Sequence, residues 1–317
     1  MHDIVLECQG VSHAFGKHKV LYDVNLKIAR GEIVSLVGPS GCGKSTLLRA
    51  ILGTHPPLNG RVLMNGVAVT KPGRDRGIVY QRYSLFPFLT AEGNVAFGPM
   101  LDESTIVDRL IHWSGWRQKR EVHLKKAADL LQQLKLAKAV HHYPAEMSGG
   151  MCQRVAIAQA LIMKPQILLL DEPFGALDEA TREELQTMLL ELYQENLTAR
   201  REGRTPPYTI LIVTHELNEA IYVSDRVIGL TQYWAWEGTG PTVAPGATIA
   251  YDCVAPVFHP DEIRDFSKFI QQREDLRRIV FNPEPRYPRE AHLNFWSDVD
   301  SGKALGIMQP LDAQNPS

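Results

Sequence analysis

Three short stretches of this sequence hold residue types that could do chemistry together. The first is Gly38-Pro39-Ser40-Gly41-Cys42-Gly43-Lys44-Ser45, followed by Thr46. It fits G-x-x-x-x-G-K-[ST] at every fixed position and lies between an apolar run and a helix-like segment. Small residues let successive backbone N–H groups converge on a phosphate, and a helix start adds partial positive charge. Lys44 has the reach for β- and γ-phosphates, and the Ser45 hydroxyl is a ligand for Mg²⁺. The second stretch is Ile167-Leu-Leu-Leu-Asp171-Glu172, an apolar run ending in two carboxylates. Asp171 at its tip suits Mg²⁺, directly or through water, and Glu172 suits a general base acting on water. The third, from Met147 to Arg154, opens a helix with Ser148, Gly149 and Gly150. Taken alone, that start is an ordinary N-cap. Beside a phosphate loop, it reads as a second anion-binding terminus.

The elements that must position these residues follow from periodicity. Residues 4–11 and 20–28 alternate like strands, and residues 33–37 are a short apolar run ending at Gly38. With a helix over 45–52, strand, glycine loop and helix open an α/β unit. Residues 62–65 before Gly66 read as a hairpin, and 78–81 as a short strand ahead of an aromatic, proline-bearing loop at 85–89. Residues 101–136 are helical in pattern, with a break expected at Ser114-Gly115. A helix over 153–163 is stopped by Lys164-Pro165. Residues 167–170 and 209–213 are apolar without alternation, as buried strands are. Residues 180–195 form an amphipathic helix with Leu185, Met188, Leu189 and Leu192 inward, and 200–207 an exposed loop. Beyond 232 glycine, proline, threonine and aromatic residues dominate. Pro260 then marks the first turn of a helix with a stripe of Ile263, Phe266 and Ile270, and the last ten residues read as a frayed tail.

Composition bounds the function classes. A chain of 317 residues holds two domains at most, or one with an appendage. With 44% hydrophobic residues it buries a sizeable core, which excludes wholesale disorder. Lys and Arg number 34 against 36 Asp and Glu, a net charge of −2, so no global basic field draws it to nucleic acid. Arg117, Lys119, Arg120, Lys125 and Lys126 are followed by Ala127, Leu130, Leu131 and Leu134 at helical spacing. Without interleaved aromatics, that cluster reads as a solvated helix face. Cys8, Cys42, Cys152 and Cys253 form no C-x-x-C pair, which argues against a disulfide framework or structural zinc and for a reducing compartment. His141 and His142 lack ligand spacing and read as surface residues. The N-terminus lacks the pattern of a signal peptide, and no apolar stretch is long enough to cross a bilayer.

In their order these motifs resemble the ATP-binding subunits of ABC transporters. Phosphate loop, Gln81, Ser148-Gly149-Gly150, Asp171-Glu172, Ala176-Leu177-Asp178 and His215 follow one another as in that family, over roughly residues 4–231. The resemblance implies an α/β fold: a P-loop NTPase core with an antiparallel β subdomain and a helical signature subdomain, here with a C-terminal extension. It implies the boundaries 4–235 for the ATP-binding domain and 236–317 for the extension. Phe15 matches the aromatic that stacks on adenine, although strand packing is its plainer reading. Gln81 matches the residue that touches Mg²⁺ or the lytic water, His215 the one that contacts the γ-phosphate, and Asp178 one at a dimer seam. Two subunits would pair head to tail around two ATP, each nucleotide lying between one phosphate loop and Ser148 of the other subunit. The signature departs from the usual Leu-Ser-Gly-Gly-Gln at Met147 and Met151. Met151, with the loop at 85–89, resembles the nitrate, sulfonate and taurine importers.

The resemblance implies ATP hydrolysis that powers solute import, with transmembrane permease subunits and a solute-binding protein as partners. It implies a peripheral position at the cytoplasmic face of the inner membrane, and no nucleic acid. Residues 83–97, with Phe86 and Phe88 exposed, are the expected permease contact. The rival is a soluble ABC-type ATPase acting on DNA or the ribosome; the second ATPase unit or long coiled coil usual there is missing. A nucleotide-binding regulator without turnover is disfavoured by Glu172 and His215. Residues 101–126 and 196–207 are longer than is usual in the family and are expected to bulge from the helical region. The extension is expected either as a small regulatory domain or as a segment packed on the core. The surroundings of Cys42, with converging N–H groups and a nearby ammonium, predict a reactive thiolate that MgATP covers.

Overall fold

The computed structural model of the chain describes residues 3–103, 113–175, 177–236, 245–256, 266–284 and 286–302. Ala176, the expected first turn at Pro260, Ile263 and the expected tail lie outside them. β3 (Ile33–Val37), β7 (Ile167–Asp171) and β8 (Ile210–Thr214) are the continuous apolar runs, and they are buried almost throughout. Such strands suit a parallel sheet covered on both faces. They lie in a six-stranded sheet of order β10-β9-β3-β8-β7-β6, completed by β6 (Arg76–Val79), β9 (Arg226–Thr231) and β10 (Thr248–Val254). Neighbours from β9 to β6 run parallel, and β10 pairs antiparallel with β9.

Alternate residues of these strands serve two cores. Val34, Leu36, Leu169 and Leu211 join Leu47, Leu48 and Ile51 of α1 (Lys44–Leu52) and the antiparallel sheet β2-β1-β4-β5. That sheet comprises β1 (Ile4–Phe15), β2 (His18–Ala29), β4 (Asn59–Met64) and β5 (Val67–Ala68), the last two forming the expected hairpin. Leu168, Leu170, Ile210 and Ile212 face the other way, onto a helical layer. It is built from α2 (Ala91–Asp102), α3 (Trp113–Gln133), α4 (Gly149–Leu161) and α5 (Glu179–Arg201). Leu185, Met188, Leu189 and Leu192 of α5 are buried there, as their spacing predicts. No helix among the described residues is long and apolar enough to cross a membrane.

One expectation about the helical layer fails, and another is shortened. α3 includes Ser114 and Gly115, where a break was expected. Its residues 117–122 are exposed, while Ala127, Leu131 and Leu134 are buried. The exposed loop expected at 200–207 forms over 202–207, with only Pro206 half-buried, because α5 continues to Arg201; Asn196 within that helix is fully buried. The Asn196 amide donates to Gly31 O at 3.0 Å and to Tyr208 O, and its Oδ1 accepts from Tyr208 N at 3.0 Å. Pro206 lies against Gly31, where a Cβ would come within 2.5 Å of it. The return of the chain after α5 is therefore stitched to the turn that starts β3.

Residues beyond 236 join the sheet. β10 lies next to β9, and Ala247 exchanges backbone hydrogen bonds with β2, accepting from Tyr22 N at 2.9 Å and donating to Val20 O at 2.8 Å. The buried Trp234 indole donates to Gly246 O at 3.0 Å. The fully buried Arg226 forks onto both oxygens of Asp252, at 2.8 and 2.9 Å, and lies 3.2 Å from Glu32. Burial pushes the Asp252 carboxyl up to about 6 against the pull of Arg226. Phe295, on the short helix Phe295–Asp300, lies 5.2 Å from the same guanidinium, a cation–π contact. Asn196→Ala removes the partner of one buried and two part-buried backbone groups. Urea unfolding should show a loss of about 2–3 kcal/mol, with ATP hydrolysis retained below the transition.

Candidate functional site

The parallel strands end side by side, so the segments that follow them meet. β3 leads into residues 38–45, β7 into Asp171-Glu172, β8 into Thr214-His215 and β6 into Gln81. In register, Val37 pairs with Thr214, and Asp171 with Val213. Ligands of open parallel sheets bind at such strand ends.

The glycine loop wraps the start of α1. Gly41 and Gly43 have φ of +78° and +103°, which side chains rarely adopt, and Gly43 is the N-cap of α1 with no side-chain cap. α1 has no acidic residue in its first turn, so its free N–H groups point at a cradle without a competing carboxylate. Lys44 is 7% exposed; its ammonium donates to Gly38 O at 2.7 Å and Pro39 O at 3.1 Å, and it makes no ion pair among the described residues. Ser45 and Ser40 are exposed, Pro39 is half-buried, and Thr46 is buried. Uncapped helix, positive-φ glycines and an unpaired ammonium fit a polyphosphate, and hence ATP.

At the neighbouring strand end, Asp171 is half-buried. Burial raises its carboxyl pKa, the Glu172 charge adds to that, and Lys44 and Arg49 oppose it. Glu172 has φ +50°, uncommon for a residue with a side chain, yet its N–H still donates to Val213 O at 2.8 Å. His215 Nδ1 lies 2.8 Å from Glu172 Oε2. A Cβ on Gly175 would lie 3.1 Å from Gln81 Nε2 and 3.7 Å from Glu172 Oε2, so both side chains crowd the same glycine. Gln81, Glu172 and His215 are thus gathered. No cluster of three or more His, Cys, Asp or Glu suited to a metal occurs among the described residues. The residues there that could hold a divalent ion are Ser45, Asp171 and Gln81.

Other site residues lie apart from this group. Ser148 is the N-cap of α4 and accepts from Met151 N at 3.2 Å. Asp178 caps α5, accepting from Thr181 N at 2.9 Å and Thr181 Oγ1 at 3.0 Å, and these bonds lower its pKa. The two helix starts touch: a Cβ on Gly150 would lie 1.6 Å from Thr181 Cγ2, and Leu177 approaches Gly149. No hydrogen bond or ion pair joins residues 148–150 to residues 38–46 among the described residues. Phe15, at the end of β1, is 50% exposed, with its ring 4.9 Å from that of His13 on the same strand.

Two expectations need correction. Phe86 is half-buried and packs on Phe97, leaving Phe88, 70% exposed, as the outward ring. Asn94 holds their loop, accepting from Phe86 N at 2.7 Å and donating to Phe86 O and Leu89 O. Cys42 is buried beneath Gly38, and burial raises its thiol pKa despite Lys44. Its neighbours attract anions, but its sulfur faces the core, and burial there disfavours the expected thiolate. Sequence reasoning also passed over Arg182 and Glu219. Arg182 Nε lies 3.2 Å from Glu219 Oε1, and burial pushes that carboxyl up to about 7 against Arg182. The only signal was spacing, each residue falling one turn after a site residue.

Maleimide labelling at neutral pH checks the corrected reading of the thiols. Cys42 should label at least about a hundredfold more slowly in the folded chain than in urea, and ATPase activity should survive the reagent. Fast labelling of Cys42 that ATP blocks would restore the exposed thiolate.

Residues 21–175 match the family model described as ABC transporter. The chain is 40% identical over 222 residues to the aliphatic sulfonates import ATP-binding protein SsuB of Bacillus licheniformis, covering 69% of this chain and 76% of that protein. It is 35% identical to the nitrate transport protein NasD of Klebsiella oxytoca, covering 89% and 98%. To the nitrate import ATP-binding protein NrtC of a Synechocystis strain it is 43% identical over 92% of this chain, which spans 39% of that longer protein. Among solved structures, an ATP-binding cassette dimer in a post-hydrolysis state with ADP and Pi superposes with a TM-score of 0.57 at 29% identity, covering 80% of this chain and all of the other. CbiO1 of Clostridium perfringens, part of an ABC transporter complex, shares the fold with a TM-score of 0.61 at 23% identity, over 79% and 88%. With a phosphate loop, an acidic strand end and these relatives, the chain belongs to the ABC transporter family, among its ATP-hydrolysing ATP-binding subunits.

Proposed function

We propose that this ATPase powers solute import, of the nitrate, sulfonate and taurine type, as one of two identical subunits that close around two ATP. The observation that carries the hydrolytic part is the 2.8 Å contact between His215 and Glu172, beside Gln81 and one strand from the phosphate loop. Residues 38–46 hold the phosphates through backbone N–H groups, Lys44 neutralises them and Phe15 stacks on the base. A Mg²⁺ held by Ser45, Asp171 and Gln81 would supply charge neutralisation at the phosphates. Glu172 takes the proton of the attacking water, while His215 orients that carboxylate and meets the γ-phosphate.

Asp178 and the Ser148-Gly149-Gly150 helix start serve the seam. Among the described residues they make no hydrogen bond or ion pair to the phosphate loop of their own chain, which supports completion of each site by the second copy. The dimeric relative in its ADP-bound state supports the same arrangement. The names of the sulfonate and nitrate relatives support import, and with it permease subunits, a solute-binding protein and a peripheral place at the cytoplasmic face of the membrane.

Glu172→Gln tests the chemistry. ATP should still bind, turnover should fall about a hundredfold or more, and gel filtration with ATP and Mg²⁺ should reveal an accumulated dimer. Normal hydrolysis by this variant would remove Glu172 from the mechanism. The partner surface is tested by Phe88→Ala. Since that ring is mostly exposed and Phe86 anchors the loop, hydrolysis by the isolated subunit should stay within about twofold, while recovery of the permease in a pull-down falls about tenfold. Undiminished recovery would put the contact elsewhere.

A further inference from the structure

Two backbone segments that carry site residues, at 177–178 and 214–215, are linked by side chains that have no part in holding ATP. Arg182 stands one turn into α5, whose N-cap is Asp178. Its Nη2 donates to Leu177 O at 3.3 Å, and its Nε lies 3.2 Å from Glu219 Oε1. Glu219 stands on α6 (Leu217–Val223), one turn after His215, and its other oxygen accepts from Thr214 Oγ1 at 3.4 Å. That hydroxyl in turn accepts from Glu216 N at 3.1 Å. The chain of contacts therefore runs from the carbonyl before Asp178 to the residue before His215. His215 itself rests on Glu172.

Its placement argues for more than helix packing. α5 and α6 already share an apolar cluster through Leu185, Leu189 and Val223. Glu219 is 6% exposed, and burying a carboxylate is costly unless its partners are fixed. Here both ends of the link grip the backbone or hydroxyl next to a site residue, not the helix bodies.

We propose that Arg182 and Glu219 are a positioning pair that holds the Leu177-Asp178 backbone and the Thr214-His215 turn in one register, so that closure of the seam at Asp178 aligns His215 and Glu172 for hydrolysis. The proposal rests on the reading of Asp178 as a seam residue and of His215 and Glu172 as the hydrolytic pair. Nucleotide binding by the phosphate loop does not need the link. Turnover does, because it requires the seam and the hydrolytic pair to be set together.

The test measures kcat and KM for ATP in Arg182→Met, Glu219→Gln, the double variant and Arg182→Lys, with Glu172→Gln as the control. Each single variant should lower kcat about tenfold and leave KM within about twofold, a coupling of ordinary size. The double variant should be no slower than the singles, since either change breaks the same link. Arg182→Lys keeps a cation near Glu219 and should recover part of kcat. Arg182 is partly exposed, so its variants test the proposal even if Glu219→Gln folds poorly. Wild-type kcat in Arg182→Met, a rise in KM at constant kcat, or multiplied losses in the double variant would each overturn the pair. If Glu172→Gln hydrolyses normally, the hydrolytic reading fails first and the proposal falls with it.

Discussion

A parallel sheet buried on both faces constrains everything else here. Inside such a sheet each strand is covered by side chains above and below, so no ligand reaches its middle. Chemistry is left to the strand ends, where backbone N–H groups and side chains escape the ladder. β3, β8, β7 and β6 are neighbours in that order, and their ends deliver Lys44, His215, Glu172 and Gln81 to one edge. The left-handed turn at Glu172 is a local consequence. The chain must leave β7 sharply while its N–H stays bonded to Val213.

The helical layer brings two helix starts together. Gly150 lets the start of α4 lie directly on Thr181 at the start of α5, so Ser148 and Asp178 sit on one structural block. Two helix N-termini packed together concentrate partial positive charge and free N–H groups. The C-terminal residues act differently. Ala247 pairs with β2, whose Val20 and Leu21 pack over Gly43 of the phosphate loop. Arg226 pairs with Asp252 and Glu32 in a buried cluster, so displacing β9 or β10 would leave buried charges unpaired.

Much of this was legible from residue spacing. The phosphate loop, the acidic strand end and the Ser-Gly-Gly helix start are contiguous, and each works through backbone geometry that its own glycines and helix start impose. Apolar runs without alternation located β3, β7 and β8 almost to the residue, because burial on both faces leaves no polar position. The misreadings have one physical origin. Asn196 looks like an ordinary polar helix residue, yet it is buried because Gly31 and Tyr208 offer it partners. Cys42 sits among anion-attracting groups, but the direction of its side chain, not its sequence neighbours, puts the sulfur in the core.

The same distinction separates the two levels of the site. Local sequence specified which groups exist: an ammonium, hydroxyls, two adjacent carboxylates, a histidine, and glycines where the backbone must bend. Strand order and helix packing decided which of them meet. His215 against Glu172, Gln81 against Gly175, Arg182 against Glu219 and Arg226 against Asp252 all join segments from different elements. Such contacts depend on three-dimensional neighbours, which periodicity along one chain does not encode, because it reports only which face of each element is buried and not what it is buried against.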